Sequence, residues 1–256
     1  MKISLIYRKE NDMGTVVSVV SGKGGVGKTT CSSYLSQAIY ERANKTIVVE
    51  LDGGLRGMDI LLGITDVVYA LDDLLEEKCS LEEVVLSVPG KEGLHLISAP
   101  AGFENILDPE KLKKLAERLK KEYDYVIFDC PAGVSLVKEV AKFSDLLIFV
   151  VLPDAISRRD AANLVSHIKA GKENKAELRL LMNKISKKTL MRNQVVYLDD
   201  IIDQIGIGLI GILPESKDIL NVYALGKPLK KRSISFQVFD AIAARLDGED
   251  RSLVIK

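Results

Sequence analysis

The stretch VVSGKGGVGKTTC, Val19 to Cys31, decides how this chain folds. It follows the apolar run TVVSVV (Thr15 to Val20) and leads into TTCSSYLSQAIYERA, a segment with helical patterning. Within it, GKGGVGKT, Gly22 to Thr29, satisfies G-x-x-x-x-G-K-[ST] between a strand and a helix. Glycines there let the backbone curl so that successive N–H groups face inward. The result is an anion nest at a helix N-terminus, suited to phosphates. The plainer alternative is a glycine-rich turn that only lets the helix pack.

On the phosphate reading, Gly24, Gly25, Val26, Gly27, Lys28, Thr29 and Thr30 form the nest. Lys28 reaches the terminal phosphates and the Thr29 hydroxyl helps to hold Mg²⁺. This accounts for one lysine of the loop and leaves Lys23 to be explained.

Working outward, short apolar runs alternate with helical patterns. Strands are expected at Thr15–Val20, Thr46–Leu51, Leu94–Ser98, Tyr125–Asp129, Leu146–Val151, Leu178–Asn183 and Ile207–Leu213. These runs are apolar on both faces, as buried parallel strands must be. Helices are expected in PEKLKKLAERLKKEY, with Pro109 behind Asp108, and in SRRDAANLVSHIKA. FQVFDAIAARLDG puts Phe236, Phe239, Ile242 and Leu246 on one helical face. The expected fold is therefore α/β: one P-loop NTPase domain, with a mostly parallel sheet of about seven or eight strands covered on both faces. The expected divisions are an extension or edge strand at 1–14, the domain at 15–247 and a short tail at 248–256.

Composition narrows the function classes. Lys+Arg and Asp+Glu are 36 each, so no net field points to nucleic acid or an anionic membrane. The best local basic patch is GKPLKKRS, with Lys227, Lys230, Lys231 and Arg232; such a run is usually a solvated face. Cys31, Cys79 and Cys130 are an odd, scattered set without C-x-x-C, against a disulfide framework, zinc or an iron–sulfur cluster. A reduced, cytoplasmic setting is expected. No apolar run reaches the ~18 residues that span a bilayer, and MKISLIYRKENDMG lacks the pattern of a signal peptide.

KGGVGKT resembles the deviant Walker A motif of the MinD/ParA family of P-loop ATPases. The early lysine is that family's signature. The resemblance implies that two protomers sandwich two ATP molecules and that Lys23 reaches the partner's nucleotide in trans. There it offsets charge as an arginine finger does. Further motifs agree. VVELDGGLRGMD is similar to the family's switch I, D-x-D-x-G-L-R-N-x-D. Asp52 then positions water near Mg²⁺, Arg56 and Asp59 form the distal part, and Glu50 stands where an Asp is common, its carboxylate one methylene further out. YVIFD resembles Walker B, with Asp129 holding Mg²⁺. CPAG resembles switch II, with Cys130 for a small hydroxyl and Gly133 letting the loop follow the γ-phosphate. Without the resemblance, Asp52 reads as a turn cap and Asp129 as a helix cap.

LLMNKISKK resembles the guanine signature N-K-x-D, but Ser186 takes the acid's place, so adenine is favoured. In the family an Asn at this point contacts adenine and a Pro lines the other face; Asn183 and Pro214 match, and otherwise read as a strand-end cap and a loop proline. SRRD matches a partner-binding stretch, making Arg159 and Asp160 candidates for that contact; alternatively they charge the first turn of a helix. Leu253, Val254 and Ile255 are too few to anchor the chain to a membrane alone. The resemblance thus implies a slow, partner-stimulated ATPase that uses ATP and Mg²⁺ and dimerises on ATP. Its partners are of MinC/MinE type, and its role is cell-division site selection or similar positioning. A ParA-like DNA segregation ATPase and a flagellar or pilus positioning regulator are the alternatives.

Overall fold

Seven apolar runs with no polar face can be buried only inside a sheet covered on both sides, and the chain builds one. The computed structural model describes residues 13–53, 57–100, 108–171, 173–186, 195–219 and 230–254. Its strands are β1 (Thr15–Val20), β2 (Thr46–Glu50), β3 (Leu86–Val88), β4 (Lys91–Ile97), β5 (Tyr125–Asp129), β6 (Leu146–Val151), β7 (Glu177–Ile185) and β8 (Gly208–Pro214). Between them run α1 (Lys28–Tyr40), α2 (Met58–Leu62), α3 (Leu71–Leu75), α4 (Leu81–Val84), α5 (Pro109–Leu119), α6 (Ser135–Val140), α7 (Ala155–Lys169) and α8 (Val195–Ile205). Helix α9 (Ile234–Leu246) follows β8.

Among the described residues the strands form one sheet in the order β3-β4-β2-β5-β1-β6-β7-β8. All pairs are parallel except β3 with β4. Every residue of β1, β2, β5 and β6 is buried, which explains their unbroken apolar runs. Strand β3 has no such run. It is a three-residue antiparallel edge with an intermediate–exposed–buried pattern, and the sequence reading did not foresee it.

Each face of the sheet carries its own apolar layer. One joins β-face residues such as Val126 and Phe128 to α5, α6, α7 and α8 through Leu115, Val137, Leu164 and Ile201. The other joins Val48 and Ile127 to α1 and α9 through Leu35, Ile39, Phe239 and Ile242. Helix α5 begins as expected: Asp108 caps it, accepting from the amides of Glu110 at 2.9 Å and Lys111 at 3.4 Å, with Pro109 in the first turn.

The central position of β1 matters most for function. Its neighbours are β5 and β6, neither adjacent in sequence, so connections leave it toward both halves of the sheet. In open α/β sheets the crevice at such strand ends is where ligands bind. Residues 1–12, Arg56, Lys227 and Ile255 fall outside the described residues. Lys230, Lys231 and Arg232 are exposed, and the Lys231 ammonium is paired with Glu41.

At the chain's other end, Arg245 is 2% exposed. It donates to the carbonyls of Ile210 on β8 and of Arg251 and Ser252 in the tail. Leu253 and Val254 pack against the two apolar layers. No helix among the described residues is long and apolar enough to cross a membrane.

Candidate functional site

The glycine loop begins where β1 ends. Ser21 Oγ donates to the Lys23 carbonyl at 2.7 Å, starting the curl. Gly22 passes so close to α7 that a Cβ there would lie 2.8 Å from the Asp160 carbonyl group. Gly25 (φ +73°) and Gly27 (φ +96°) adopt left-handed conformations that other residues resist. Gly27 stands at the N-cap of α1, and no side chain caps that helix. Its first amides therefore stay available for an anion, with the helix dipole favouring negative charge.

Asn183, at the end of β7, braces this loop from behind. Its Nδ2 donates to the Val26 carbonyl at 2.8 Å, while its Oδ1 accepts from the Lys184 amide at 2.8 Å. A Cβ on Gly27 would lie 2.6 Å from that Nδ2, so the glycine is required there twice over. Lys184 follows in a left-handed conformation (φ 54°), with Nζ 3.5 Å from the Gly25 carbonyl.

Two carboxylates end the neighbouring strands β5 and β2. Asp129 ends β5, in register with Val19 of β1 and Glu50 of β2. It is completely buried; Oδ1 accepts from Ser32 Oγ at 2.8 Å, and Oδ2 has no hydrogen-bond partner among the described residues. Burial lifts this carboxyl to about 7, while the hydroxyls of Thr29 and Ser32 act in the opposite direction. Glu50 is also buried, but its carboxylate turns away, toward Gly57, Met58, Ser98 and Ala99. Asp52 emerges two residues later, half-buried, where the chain leaves the sheet.

Cys130 and Gly133 follow Asp129. The Cys130 amide donates to Val19 at 3.2 Å and the Gly133 amide to Ser21 at 3.3 Å, which stitches this loop to the base of the glycine loop. Burial pushes both the Cys31 and Cys130 thiols far up, so neither is a ready nucleophile. Gly133 has φ +126°, another left-handed position.

These parts enclose a cleft of about 740 Å³. Gly24, Gly25, Gly27, Lys28, Thr29 and Thr30 of the loop line it, together with Asp52, Gly57 and Ala132. Asn183, Lys184, Pro214, Glu215, Ser216, Ile219 and Phe239 line it as well, a mixed set of polar and apolar groups. The volume and a lining that joins loop amides to apolar side chains suit a nucleotide. Val26 does not line the cleft: its side chain is completely buried in the layer under α1.

The donors present fit a magnesium ion. Thr29 and the unpartnered Oδ2 of Asp129 are hard oxygen groups, and magnesium bound beside phosphates needs only one or two protein oxygens. Accordingly, the described residues hold no cluster of three or more His, Cys, Asp or Glu that could form a cage by themselves.

Lys23 is placed elsewhere. Its ammonium lies 3.5 Å from Asp154 Oδ1, and both side chains are more than a third exposed. Asp154 is the N-cap of α7, accepting from the Ser157 amide at 2.9 Å; that bond, then Lys23, holds its carboxyl below the usual range. Arg159 and Asp160 do not charge the first turn of α7. They lie in its second turn and pair with each other at 3.3 Å. Asp59 sits in the first turn of α2 and accepts from the Ile60 amide at 2.8 Å.

Ser32, Asp154, Ile219 and Phe239 are among the residues at or near this site that sequence reasoning does not single out for it. Ser32 lies one helical turn beyond Thr29, so its shared face was legible in the spacing. Asp154 is a Pro-Asp helix start, also legible. Ile219 and Phe239 are ordinary apolar residues whose place in the cleft is set only by packing.

Comparisons with known proteins agree with this geometry. A sequence-family model described as an AAA domain matches residues 14–182. The septum site-determining protein MinD of Synechocystis is 32% identical over 246 residues, covering 93% of this chain and 91% of that protein. A MinC:MinD cell division protein complex from Aquifex aeolicus superposes with a TM-score of 0.84 at 28% identity, covering 94% of this chain and 98% of that one. MinD of Pyrococcus horikoshii, complexed with Mg-ADP, gives a TM-score of 0.78 at 27% identity, covering 92% and 96%. With likeness of this extent over a chain that already carries the loop, the carboxylates and the sheet order, the protein belongs to the MinD/ParA family of P-loop ATPases.

Proposed function

We propose that this chain hydrolyses ATP with magnesium, and that ATP closes it into a dimer which recruits partner proteins for division-site selection or a similar positioning task. The observation that carries this reading is one cleft in which the uncapped N-terminus of α1 and Asp52 meet apolar side chains, with the buried Asp129 and its unpartnered oxygen on β5, the strand paired with the one from which the loop springs. The likeness to MinD bound to Mg-ADP, and to MinD in a complex with MinC, supports both the ligand and the kind of partner.

The roles follow from chemistry. The amides of Gly24 to Thr30 cradle the phosphates, and Lys28, 6% exposed, sets its charge against them where burial weakens screening by water. Thr29 and Asp129 hold magnesium, which when bound neutralises phosphate charge. Asp52 orients the attacking water. Pro214 and Asn183 flank adenine, and the Asn183 Oδ1 and Nδ2 keep loop and base ends in fixed relation.

Lys23 is the trans-acting lysine. In a single chain it is engaged with Asp154, so its service to a phosphate comes when a partner offers one. Hydrolysis is slow alone and faster with a partner bound near Arg159 and Asp160. The chain works in the cytoplasm and reaches a membrane through a partner. Light scattering with and without Mg-ATP tests this: wild type shifts to a dimer and Lys23→Ala does not hydrolyse in that state. A Lys23→Ala chain with wild-type dimerisation and turnover refutes the trans role.

A further inference from the structure

Among the described residues Glu50 and Asp129 are the buried carboxylates, and magnesium gives a task to Asp129 alone. Glu50 is 1% exposed and stands next to Asp129 in the sheet register, a like-charge pairing that costs energy. Its two oxygens serve two different pieces of chain. Oε1 accepts from the amides of Gly57 at 3.2 Å and Met58 at 3.1 Å, where α2 begins. Oε2 accepts from the Ala99 amide at 3.2 Å and Ser98 Oγ at 3.4 Å, beyond the end of β4.

Asp52 lies on the segment that joins β2 to α2. The near end of its segment is held by the Leu51 amide, which donates to the Asp129 carbonyl at 2.9 Å. The far end returns at Gly57, which lines the cleft together with Asp52. There Glu50 takes hold of it and anchors it to the β4 end. We infer that Glu50 is a positioning residue for hydrolysis: its carboxylate bridges the return of the Asp52 segment to the β4 end and so holds Asp52 over the cleft. This rests on the reading above, in which Asp52 orients water.

The length of the side chain is the point. The bonds already run 3.1–3.4 Å. An aspartate, shorter by about 1.5 Å, leaves both arms out of reach. A glutamine keeps the reach but turns an NH₂ group toward N–H donors on one arm. The glycine loop hangs from β1 and is untouched by either change.

The test uses the full chain, single-turnover hydrolysis of Mg-ATP and the affinity for a fluorescent ATP analogue. For Glu50→Asp, the hydrolysis rate falls about 10- to 100-fold, the scale set by ångström misplacement of a reacting group. Analogue affinity stays within about threefold, because the nest is intact. Glu50→Gln shows a smaller fall with the same unchanged affinity, and it secures the test should the shorter variant fold poorly. Wild-type rates in Glu50→Gln and Glu50→Asp overturn the inference, as does a fall in which rate and affinity drop by the same factor. A wild-type chain that binds Mg-ATP without hydrolysing it overturns the preceding reading instead.

Discussion

Ser32 of α1 donates its hydroxyl to Oδ1 of Asp129 at the end of β5, at 2.8 Å and across 97 residues of sequence. That bond engages Oδ1 and leaves Oδ2 without a hydrogen-bond partner among the described residues. Removing it by Ser32→Ala deprives a buried carboxyl of one of its two hydroxyl donors, the other being Thr29. The expected loss is about 1–3 kcal/mol of unfolding free energy in urea, with weaker dependence of nucleotide binding on magnesium. A variant as stable as wild type, with the same magnesium titration, contradicts this.

Gly22 meets backbone, and backbone does not yield cheaply. A methyl group there lies 2.8 Å from the carbonyl carbon and oxygen of Asp160. Gly22→Ala is expected to push the glycine loop off α7, at about 1–3 kcal/mol of overpacking. Nucleotide affinity falls with it. Chemical denaturation and a binding titration report both; an unshifted midpoint rules out the contact as drawn.

Asp154→Asn separates the cap of α7 from the charge that holds Lys23. Asparagine caps as well as aspartate, and an exposed ion pair contributes little, so stability stays within about 0.5 kcal/mol. The freed ammonium then favours the ATP-bound dimer by up to about fivefold in half-maximal ATP. Unchanged dimerisation shows that the pair with Asp154 does not compete with the trans role.

His95 supplies a pH dependence. It is half-buried on β4, edge-on to Tyr123 at 5.5 Å, and its Nδ1 finds no partner among the described residues. Burial first, and the Lys45 ammonium second, lower its pKa. The sign follows: the folded protein prefers the neutral ring, so stability is whole above the unfolded value of about 6.5 and declines as pH falls below it. His95→Phe keeps the aromatic contact and removes the proton. The melting-temperature difference between variant and wild type therefore grows in the variant's favour from pH 7.5 to 5.5. A difference independent of pH sinks the assignment.

Arg245 holds three carbonyls on two segments, those of Ile210, Arg251 and Ser252. A lysine cannot span that fork. Arg245→Lys is expected to lose at least about 1.5–3 kcal/mol in urea unfolding. Faster amide exchange over residues 251–254 accompanies it, and unchanged exchange refutes the strap.

The sheet's interior and the phosphate loop are legible from the amino-acid order alone. Strands β1, β5 and β6 begin and end where their apolar runs do, because a strand buried on both faces leaves no polar position to blur its limits. The glycine loop was legible because its chemistry is local: left-handed turns, a helix start and a lysine within eight residues. Strand β3 was not, since three residues at an antiparallel edge carry no period to read. The pairings that set the site's electrostatics were also beyond it: Ser32 with Asp129, Lys23 with Asp154, Glu50 with four donors on two loops. All but the Glu50 bonds to Gly57 and Met58 join elements far apart in the chain, and the sheet order that carries β5 between β1 and β2 brings Asp129 beside Glu50. At Ser32, Asp129 and Glu50 burial then forces polar groups to find partners, because an unpaired polar group costs far more inside the protein than in water, whereas the Lys23–Asp154 pair stays exposed.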